Sequence, residues 1–225
     1  MSPAPLVELR DIELYYFPIC GRGEPIRLIL EDTGVKYTEV NDIAAFREKQ
    51  SDVNEFRFNQ IPRFKVNGLN LAQTDAILRF IAKARGLGGN GKLEEDVIAD
   101  MLSCACEDLH VTYMSNVYSP DAAKLLPPFA KNHVPMVLKQ LEHLLKQSKS
   151  PEGYFVYEHP SFSEYHLYYL IYALGHLNPN LLSNFPELAA WKETMGARPG
   201  IKAYEESGRR NERLNGSLSA QKPVV

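Results

Sequence analysis

Residues 12–27 read Ile-Glu-Leu-Tyr-Tyr-Phe-Pro-Ile-Cys-Gly-Arg-Gly-Glu-Pro-Ile-Arg, which predicts a short strand, a tight loop and the start of a helix. Ile12, Leu14 and Tyr16 alternate with their neighbours at the period of a half-buried strand. Two glycines mark the loop, and the second proline suits the first turn of a helix, where its missing N–H costs no hydrogen bond. A corner of this kind directs backbone N–H groups and the positive end of a helix dipole toward an anion held in the loop.

The composition is that of an ordinary globular protein of 225 residues, long enough for one or two domains with a buried core. The formal net charge of −3 gives no reason to expect nucleic acid or an anionic membrane as a partner. No apolar run approaches the roughly 20 residues of a membrane span, and no signal peptide is visible at the start. The three cysteines form neither a disulfide framework nor a paired metal-ligand spacing, so we expect a reducing, cytoplasmic location and no bound metal.

The first third of the chain alternates between strand and helix signals. Asn67-Gly68 separates two runs of alternating apolar residues, which predicts a hairpin with a tight primed turn. Residues 24–32 and 75–85 carry apolar side chains at helical spacing, whereas residues 44–57 are charged and weakly periodic and indicate a short helix or a loop. The order strand, helix, strand, helix, hairpin, helix predicts an α/β domain over residues 9–85.

A glycine-rich segment at residues 86–92 marks the predicted linker between two domains. Everything that follows predicts helices. Ser161 and Glu164 match a capping box, in which the serine caps a helix and the glutamate three residues on returns a hydrogen bond. We therefore expect an all-helical domain over residues 93–208. The tail at residues 209–225 is polar and is expected to be mobile.

Five short motifs, in this order, resemble those of one enzyme family. They are Tyr-Phe-Pro-x-x-Gly-Arg-Gly-Glu-Pro-Ile-Arg at 16–27, Gln-Ile-Pro at 60–62, Leu-Ala-Gln-Thr-Asp-Ala-Ile at 71–77, Glu-Asp-Leu at 107–109 and Ser-x-x-Glu at 161–164. On these motifs the chain resembles the cytosolic glutathione transferases of the tyrosine-type classes (sigma, pi, mu and alpha). The resemblance covers about residues 9–207 and implies the glutathione transferase fold, with a thioredoxin-like α/β N-terminal domain and an all-α C-terminal domain.

Tyr16 matches the family's catalytic tyrosine. A free thiol titrates near 8.5, and a phenolic O–H that donates to the sulfur near a helix N-terminus favours the thiolate. Lowering the thiol pKa by two units needs roughly 2.7 kcal/mol. One hydrogen bond to a charged group supplies about 1.5–3 kcal/mol, so this mechanism is energetically sufficient. Tyr15 is the alternative candidate for the catalytic tyrosine. Side chains alternate along a strand, so only one of the two tyrosines can face the site.

The resemblance implies that two further segments of the α/β domain bind glutathione. Gln60, Ile61 and Pro62 match the family's cis-proline turn, whose backbone at Ile61 would pair with the cysteinyl unit of glutathione in the manner of a β-strand. Gln73 and Thr74 replace the commoner Gln-Ser of the family. Thr74 retains the hydroxyl, so the γ-glutamyl carboxylate is still expected at the N-terminus of the following helix.

Three charged residues complete the predicted glutathione site. Asp108 matches the acidic residue that reaches the α-amino group of glutathione across a dimer interface, and Arg22 lies where family members often place an arginine near glutathione. Many relatives bind the glycyl carboxylate with a tryptophan and a nearby lysine, but this chain has no tryptophan in that region. Arg47, Lys49 or Arg57 would supply the positive charge there, with Lys49 ranked first by a narrow margin.

The helical domain is expected to supply the pocket for a hydrophobic electrophile, and the candidates are Tyr113, Met114 and Tyr118. The alternative is that these residues belong to the core of the domain, as aromatic residues on such a helix often do. Cys20 suggests a thiol–disulfide oxidoreductase, but the cysteine-type relatives place their cysteine directly before the loop proline, where this chain has Phe17. Cys20 nevertheless lies near a helix N-terminus, which favours reactivity toward electrophiles.

The sequence therefore predicts a cytoplasmic, homodimeric glutathione S-transferase that joins the glutathione thiolate to hydrophobic electrophiles in detoxification. Glutathione is its co-substrate, and no cofactor is expected. A second possibility is a non-catalytic member of the family, a ligandin or structural protein that binds glutathione and hydrophobic compounds without conjugating them.

Overall fold

A computed structural model describes residues 7–89, 91–217 and 220–225, and it divides the chain into two compact units. The first unit comprises the chain up to Gly88 together with Arg198–Arg213. The second comprises Gly89–Ala197 and Leu214–Val225.

The first unit has the alternating order that the sequence predicts. Its elements are β1 (Glu13–Tyr15), α1 (Glu24–Asp32), β2 (Thr38–Val40), α2 (Ile43–Lys49), β3 (Arg63–Val66), β4 (Leu69–Ala72) and α3 (Thr74–Ala84). The ambiguous segment at residues 44–57 thus provides a short helix, α2, whose single buried residue Phe46 packs on the sheet side. A short 3-10 turn, Gly21–Gly23, joins the first strand to α1.

The four strands form one mixed sheet in the order β2-β1-β3-β4. Strand β1 runs parallel to β2 and antiparallel to β3, and β4 returns antiparallel beside β3. The hairpin between β3 and β4 turns at Asn67 and Gly68, whose φ angles are 50° and 76°. Positive φ at both turn positions is what a type I′ turn requires, so the predicted hairpin is confirmed.

The second unit is helical over the elements that the structure describes. They are α4 (Leu93–Val117), α5 (Ala122–Pro128), α6 (Val134–Lys146), α7 (Phe162–Gly175) and α8 (Pro186–Gly196). Helix α7 is buried along nearly its whole length, and the predicted capping box of Ser161 and Glu164 is present at its start. Among the described residues, no helix combines the length and the apolar character needed to cross a bilayer.

The last helix, α9 (Pro199–Glu206), belongs to the first unit, although the sequence suggested a helical domain that extends to residue 208. It packs against α1, where a Cβ at Gly200 would lie 2.4 Å from the carbonyl oxygen of Glu31. Arg198 pairs with Asp32 at 2.7 Å at the start of the helix. The predicted end of the helical domain at residue 208 differs from the division in the structure, because helical periodicity does not show which unit a helix packs against.

The described part of the tail is held by specific hydrogen bonds, contrary to the mobile segment expected from its composition. Within the first unit, Arg209 makes two hydrogen bonds to Glu31, at 2.7 and 2.6 Å. Within the second unit, the side chain of Asn215 is fully buried and donates to the hydroxyl of Tyr113 at 3.2 Å. Leu214 and Ala220 are fully buried as well, so polar contacts and apolar burial together hold this segment, although its overall polar composition predicted neither. Residues 218 and 219 lie outside the described range.

Candidate active site

Tyr16 follows directly after β1, and its ring lies over the loop at Gly21–Gly23. The side chain is 5% exposed. Its hydroxyl oxygen accepts the backbone N–H of Arg22 at 2.9 Å. A hydroxyl can accept through its lone pairs and donate its own proton, so this contact fixes the oxygen without using the proton.

The two glycines of the loop allow its backbone to approach the Tyr16 ring. A Cβ at Gly21 would lie 2.6 Å from the hydroxyl oxygen of Tyr16, and Gly21 also has a φ of +42°. A Cβ at Gly23 would lie 2.6 Å from Cδ1 and 2.9 Å from Cγ of the same ring. Real Cβ contacts are not this short, so any larger residue would displace either the loop or the tyrosine.

Tyr15 points to the opposite face of the sheet. Its ring packs edge-on against Phe56 at 5.2 Å between centroids, and the guanidinium carbon of Arg63 lies 4.7 Å from the ring centroid. The Tyr15 hydroxyl donates to the carbonyl oxygen of Asp42. Burial, followed by the negative charge of Asp42, raises the pKa of Tyr15. Tyr15 is therefore a structural residue, and the structure leaves Tyr16 as the tyrosine that faces the loop.

Thr74 connects the start of α3 to the same loop. Its side chain is 4% exposed, and its hydroxyl donates to the carbonyl oxygen of Arg22 at 3.0 Å. The peptide groups on either side of Arg22 are thus fixed at both ends, the N–H by Tyr16 and the carbonyl by Thr74. The half-buried Arg22 side chain projects from this fixed backbone.

Gln60 and Gln73, predicted from separate motifs, meet in the structure. The amide nitrogen of Gln73 lies 3.1 Å from the amide oxygen of Gln60, and both residues are exposed. Gln73 immediately precedes α3 and has a φ of +72°. The Ile61–Pro62 peptide bond is cis, as the resemblance implies. The structure therefore links three of the predicted segments, namely the loop after β1, residues 60–62 and the start of α3.

Lys49 stands exposed at the end of α2. Of its two alternatives, Arg47 is also exposed, whereas the guanidinium of Arg57 donates to the carbonyl oxygen of Asn70 at 2.9 Å. Arg57 is thus engaged in holding the loop before β3 against β4, and the two residues of α2 remain the candidates for a carboxylate.

Arg27 is a positioning residue whose role the sequence analysis missed. Its guanidinium is 1% exposed and forms ion pairs with Glu24 at 3.1 Å and Glu39 at 2.5 Å. The carbonyl groups that it also binds belong to Phe17, Ile19 and Cys20. A buried cation that pairs with two carboxylates and several carbonyls fixes the loop between β1 and α1. Its signal in the sequence is a single charge among the apolar residues at 26–30 of α1.

Cys20 is not the reactive thiol that its position before α1 suggested. The side chain is fully buried, and its sulfur donates to the carbonyl oxygen of Asn211 at 3.1 Å. Desolvation, followed by the nearby charge of Glu24, raises the pKa of Cys20 to about 12. A thiol in this state remains protonated near neutrality and is a poor nucleophile, which removes the basis for an oxidoreductase that uses Cys20.

The residues predicted in the helical unit have different environments along α4. Tyr113 is fully buried, stacks on Phe129 at 6.4 Å and accepts a hydrogen bond from the tail, so it belongs to the helical core rather than to an open pocket. Met114 is half-buried. Tyr118 is 52% exposed, and its hydroxyl accepts the backbone N–H of Gly216 at 2.8 Å. Asp108 lies exposed on the same helix.

Comparisons with known proteins identify the family of the chain. Two family models match the chain, the glutathione S-transferase N-terminal domain at residues 11–83 and the glutathione S-transferase C-terminal domain at residues 107–208. The chain is 33% identical to a glutathione S-transferase of Dirofilaria immitis over 196 residues, which cover 85% of this chain and 90% of the relative. It is 32% identical to glutathione S-transferase P of Bos taurus over 213 residues, which cover 91% and 96%.

Solved structures give the same result. A pi-class glutathione S-transferase of Onchocerca volvulus superimposes with a TM-score of 0.81 at 28% identity, covering 92% of this chain and 98% of the other. Rat hPGDS complexed with a quinoline superimposes with a TM-score of 0.76 at 24% identity, covering 87% and 96%, and supports the fold alone. The predicted fold is confirmed, and the chain belongs to the glutathione S-transferase family.

Proposed function

We propose that this glutathione S-transferase joins the glutathione thiolate to hydrophobic electrophiles, with Tyr16 as the residue that stabilises the thiolate. The observation that supports this role is the hydrogen bond from the Arg22 N–H to the Tyr16 hydroxyl oxygen, at 2.9 Å. Because the oxygen accepts there, the phenolic proton has the capacity to donate to a sulfur placed at the loop. An accepted hydrogen bond also polarises the O–H group and strengthens it as a donor.

In this mechanism the tyrosine remains protonated and acts as a hydrogen-bond donor. The thiol of bound glutathione loses its proton to water, and the sulfur anion accepts the hydrogen bond from Tyr16. The thiolate then forms a carbon–sulfur bond with the electrophile, whose leaving group departs with the electron pair of the broken bond. A hydrogen bond of about 1.5–3 kcal/mol to the anion lowers the thiol pKa by about one to two units.

Glutathione is proposed to lie along the edge formed by the loop, the segment before β3 and the start of α3. The backbone of Ile61, preceded by Gln60 and followed by Pro62, would pair with the cysteinyl unit. Gln73, Thr74 and the first N–H groups of α3 would receive the γ-glutamyl carboxylate, because a helix N-terminus favours an anion.

The two terminal charges of glutathione need groups of opposite sign. Lys49 on α2 would bind the glycyl carboxylate, and the half-buried Arg22 side chain would add positive charge beside the loop. Asp108 would bind the α-amino group of glutathione held by a second copy of the chain. Its exposure on α4 supports this role, which requires a homodimer.

Met114 and Tyr118 would contact the hydrophobic electrophile, while Tyr113 would support them from the core. The proposed setting is the cytoplasm, and the proposed role is detoxification. In support, none of the three cysteines is part of a disulfide, which is typical of a reducing compartment.

The proposal is tested by the pH dependence of conjugation to a generic aryl halide. Tyr16→Phe should move the pH–rate profile upward by about one to two units, because it removes the hydrogen bond to the thiolate. An unchanged profile would refute the assignment. Retention of the wild-type protein on immobilised glutathione without any conjugation would instead support the non-catalytic alternative.

A further inference from the structure

Helix α4 carries two metal-ligating side chains one turn apart. Glu107 and His110 have the spacing Glu-x-x-His, which places both on the same face of a helix. His110 is fully buried, whereas Glu107 is half-buried. The pair lies in the middle of α4, where this helix packs against α7 of the same unit.

Helix α7 places a third ligating side chain against this pair. His166 is fully buried, and its Nε2 lies 2.8 Å from Nδ1 of His110. One ligand atom from each of Glu107, His110 and His166 lies within 4.8 Å of the others. Three ligating groups from two facing helices therefore converge at one point inside the helical unit.

The ligand set selects a class of metal ion. Two imidazole nitrogens and one carboxylate oxygen suit Zn²⁺ and its first-row neighbours, whereas Ca²⁺ and Mg²⁺ prefer oxygen ligands alone. Helical bundles build metal sites in this way, with a Glu-x-x-His pair on one helix and further ligands on the helix that faces it. We propose that Glu107, His110 and His166 form a binding site for a divalent transition-metal ion of the zinc type.

The distances require only a small adjustment to admit an ion. With metal–nitrogen bonds of 2.0–2.1 Å in a tetrahedral arrangement, the two ligating nitrogens would stand about 3.3 Å apart. The rings, now 2.8 Å apart at their hydrogen-bonded atoms, would separate by roughly half an ångström. The ion would replace the proton shared between the rings, and that proton would move to the other nitrogen of its own imidazole, so both ligands stay neutral. Three protein ligands leave a fourth position for water.

The alternative is that the two histidines only form a hydrogen bond in the core. The ring of Tyr169 lies 5.7 Å from that of His110, and the ring of Tyr113 lies 6.5 Å from it, so the pair is surrounded by aromatic side chains. The two interpretations predict different results when metal is added. A metal site binds one ion per chain, whereas two histidines that only share a hydrogen bond bind none.

The decisive experiment uses the full chain without an affinity tag, stripped by a chelator and kept free of glutathione. Titration with Co²⁺ should produce the visible absorption of a tetrahedral ion at one equivalent per chain, and Zn²⁺ should displace it. Glu107→Gln should weaken binding by at least about tenfold, because it removes the anionic ligand. Glu94→Gln, on the exposed first turn of the same helix, is the matched control and should leave binding unchanged.

A second pair of variants tests the histidine on α7. His166→Gln should abolish stoichiometric binding, whereas His176→Gln, next to the end of the same helix, should not. Cys104 is exposed one turn before Glu107, so the series is repeated in a Cys104→Ser background to remove a competing ligand. The proposal is overturned if the wild-type chain binds no ion, or if Glu107→Gln binds as tightly as the wild type. If His166→Gln does not fold, the comparison of Glu107→Gln with Glu94→Gln decides the matter alone.

Discussion

Two adjacent tyrosines at the end of β1 have opposite roles in their hydrogen bonds. The Tyr15 hydroxyl donates its proton to the carbonyl oxygen of Asp42, whereas the Tyr16 hydroxyl accepts a proton from the N–H of Arg22. A hydroxyl has one proton to give. Tyr15 therefore gives its proton to a structural hydrogen bond, whereas the hydrogen bond between Tyr16 and Arg22 uses the Tyr16 oxygen as the acceptor.

The surroundings of the two rings explain this difference. Tyr15 lies in an aromatic cluster with Phe46 and Phe56, where burial raises its pKa. Tyr16 lies against a glycine loop whose backbone comes within contact distance of its ring. Identical side chains one residue apart thus lie in different environments, and we propose that the one beside the loop, Tyr16, is the residue that takes part in the chemistry.

The largest expected effect comes from adding a methyl group at Gly23, whose backbone lies against the Tyr16 ring. Gly23→Ala should lower kcat/KM by about a hundredfold, because the new Cβ would displace the ring by up to an ångström and misplace its hydroxyl. Gly23 has a φ of −81°, so alanine meets no backbone penalty there and the effect is purely steric. Steady-state kinetics measure it. The control, Gly175→Ala, adds a Cβ in open space and should leave kcat/KM unchanged.

A smaller effect is expected from the contact that fixes the Arg22 carbonyl. Thr74→Val keeps the shape of the side chain and removes its hydroxyl, so KM for glutathione should rise by about tenfold. Thr33→Val is the matched control, since it removes a hydroxyl that donates to the carbonyl of Ile29 at 2.6 Å, at the end of α1. If both variants changed KM equally, the hydrogen bond from the Thr74 hydroxyl to the Arg22 carbonyl would not contribute to glutathione binding.

Tyr15→Phe should affect stability rather than chemistry. The loss of one hydrogen bond to the Asp42 carbonyl should lower the free energy of unfolding by about 1 kcal/mol. Denaturant unfolding measures this change, and the pH–rate profile of conjugation should stay that of the wild type. A profile that moved as far as that of Tyr16→Phe would contradict the separation of roles between the two faces.

The smallest effect is expected at Cys20, which directly precedes the Gly21–Gly23 turn. With a pKa raised to about 12, only about one part in ten thousand of the thiol is ionised at pH 8, and the fraction increases only as the pH rises toward that pKa. An alkylating reagent at pH 8 should therefore label the exposed Cys104 and leave Cys20 unmodified, as mass spectrometry of peptides would reveal. Cys20→Ser should keep wild-type conjugation activity; loss of activity would restore Cys20 as a catalytic candidate.

Local patterns predicted the local structure well. Asn67-Gly68 specified its hairpin because the turn requires positive φ at both residues, and Ser161 with Glu164 specified the start of α7. These features depend on neighbours within a few residues, which the sequence displays directly.

Long-range contacts were not predictable in the same way. The burial of Cys20 depends on Asn211, almost two hundred residues away, and the return of α9 to the first unit depends on its packing against α1. The sequence favoured Tyr16 over Tyr15 only because Tyr16 matches the family's catalytic tyrosine. The opposite directions of their hydrogen bonds emerge only when Asp42 and Arg22 are placed beside them.

The central claim is that Tyr16, and not Tyr15, donates a hydrogen bond to the thiolate of bound glutathione. The most direct measurement is an ultraviolet titration of the thiolate in the binary complex with glutathione, for the wild type, Tyr16→Phe and Tyr15→Phe. The wild type and Tyr15→Phe should share one thiol pKa below the free value of about 8.5, and Tyr16→Phe should raise it by about one to two units. An equal thiol pKa in the wild type and Tyr16→Phe, with glutathione bound in both, would contradict the claim.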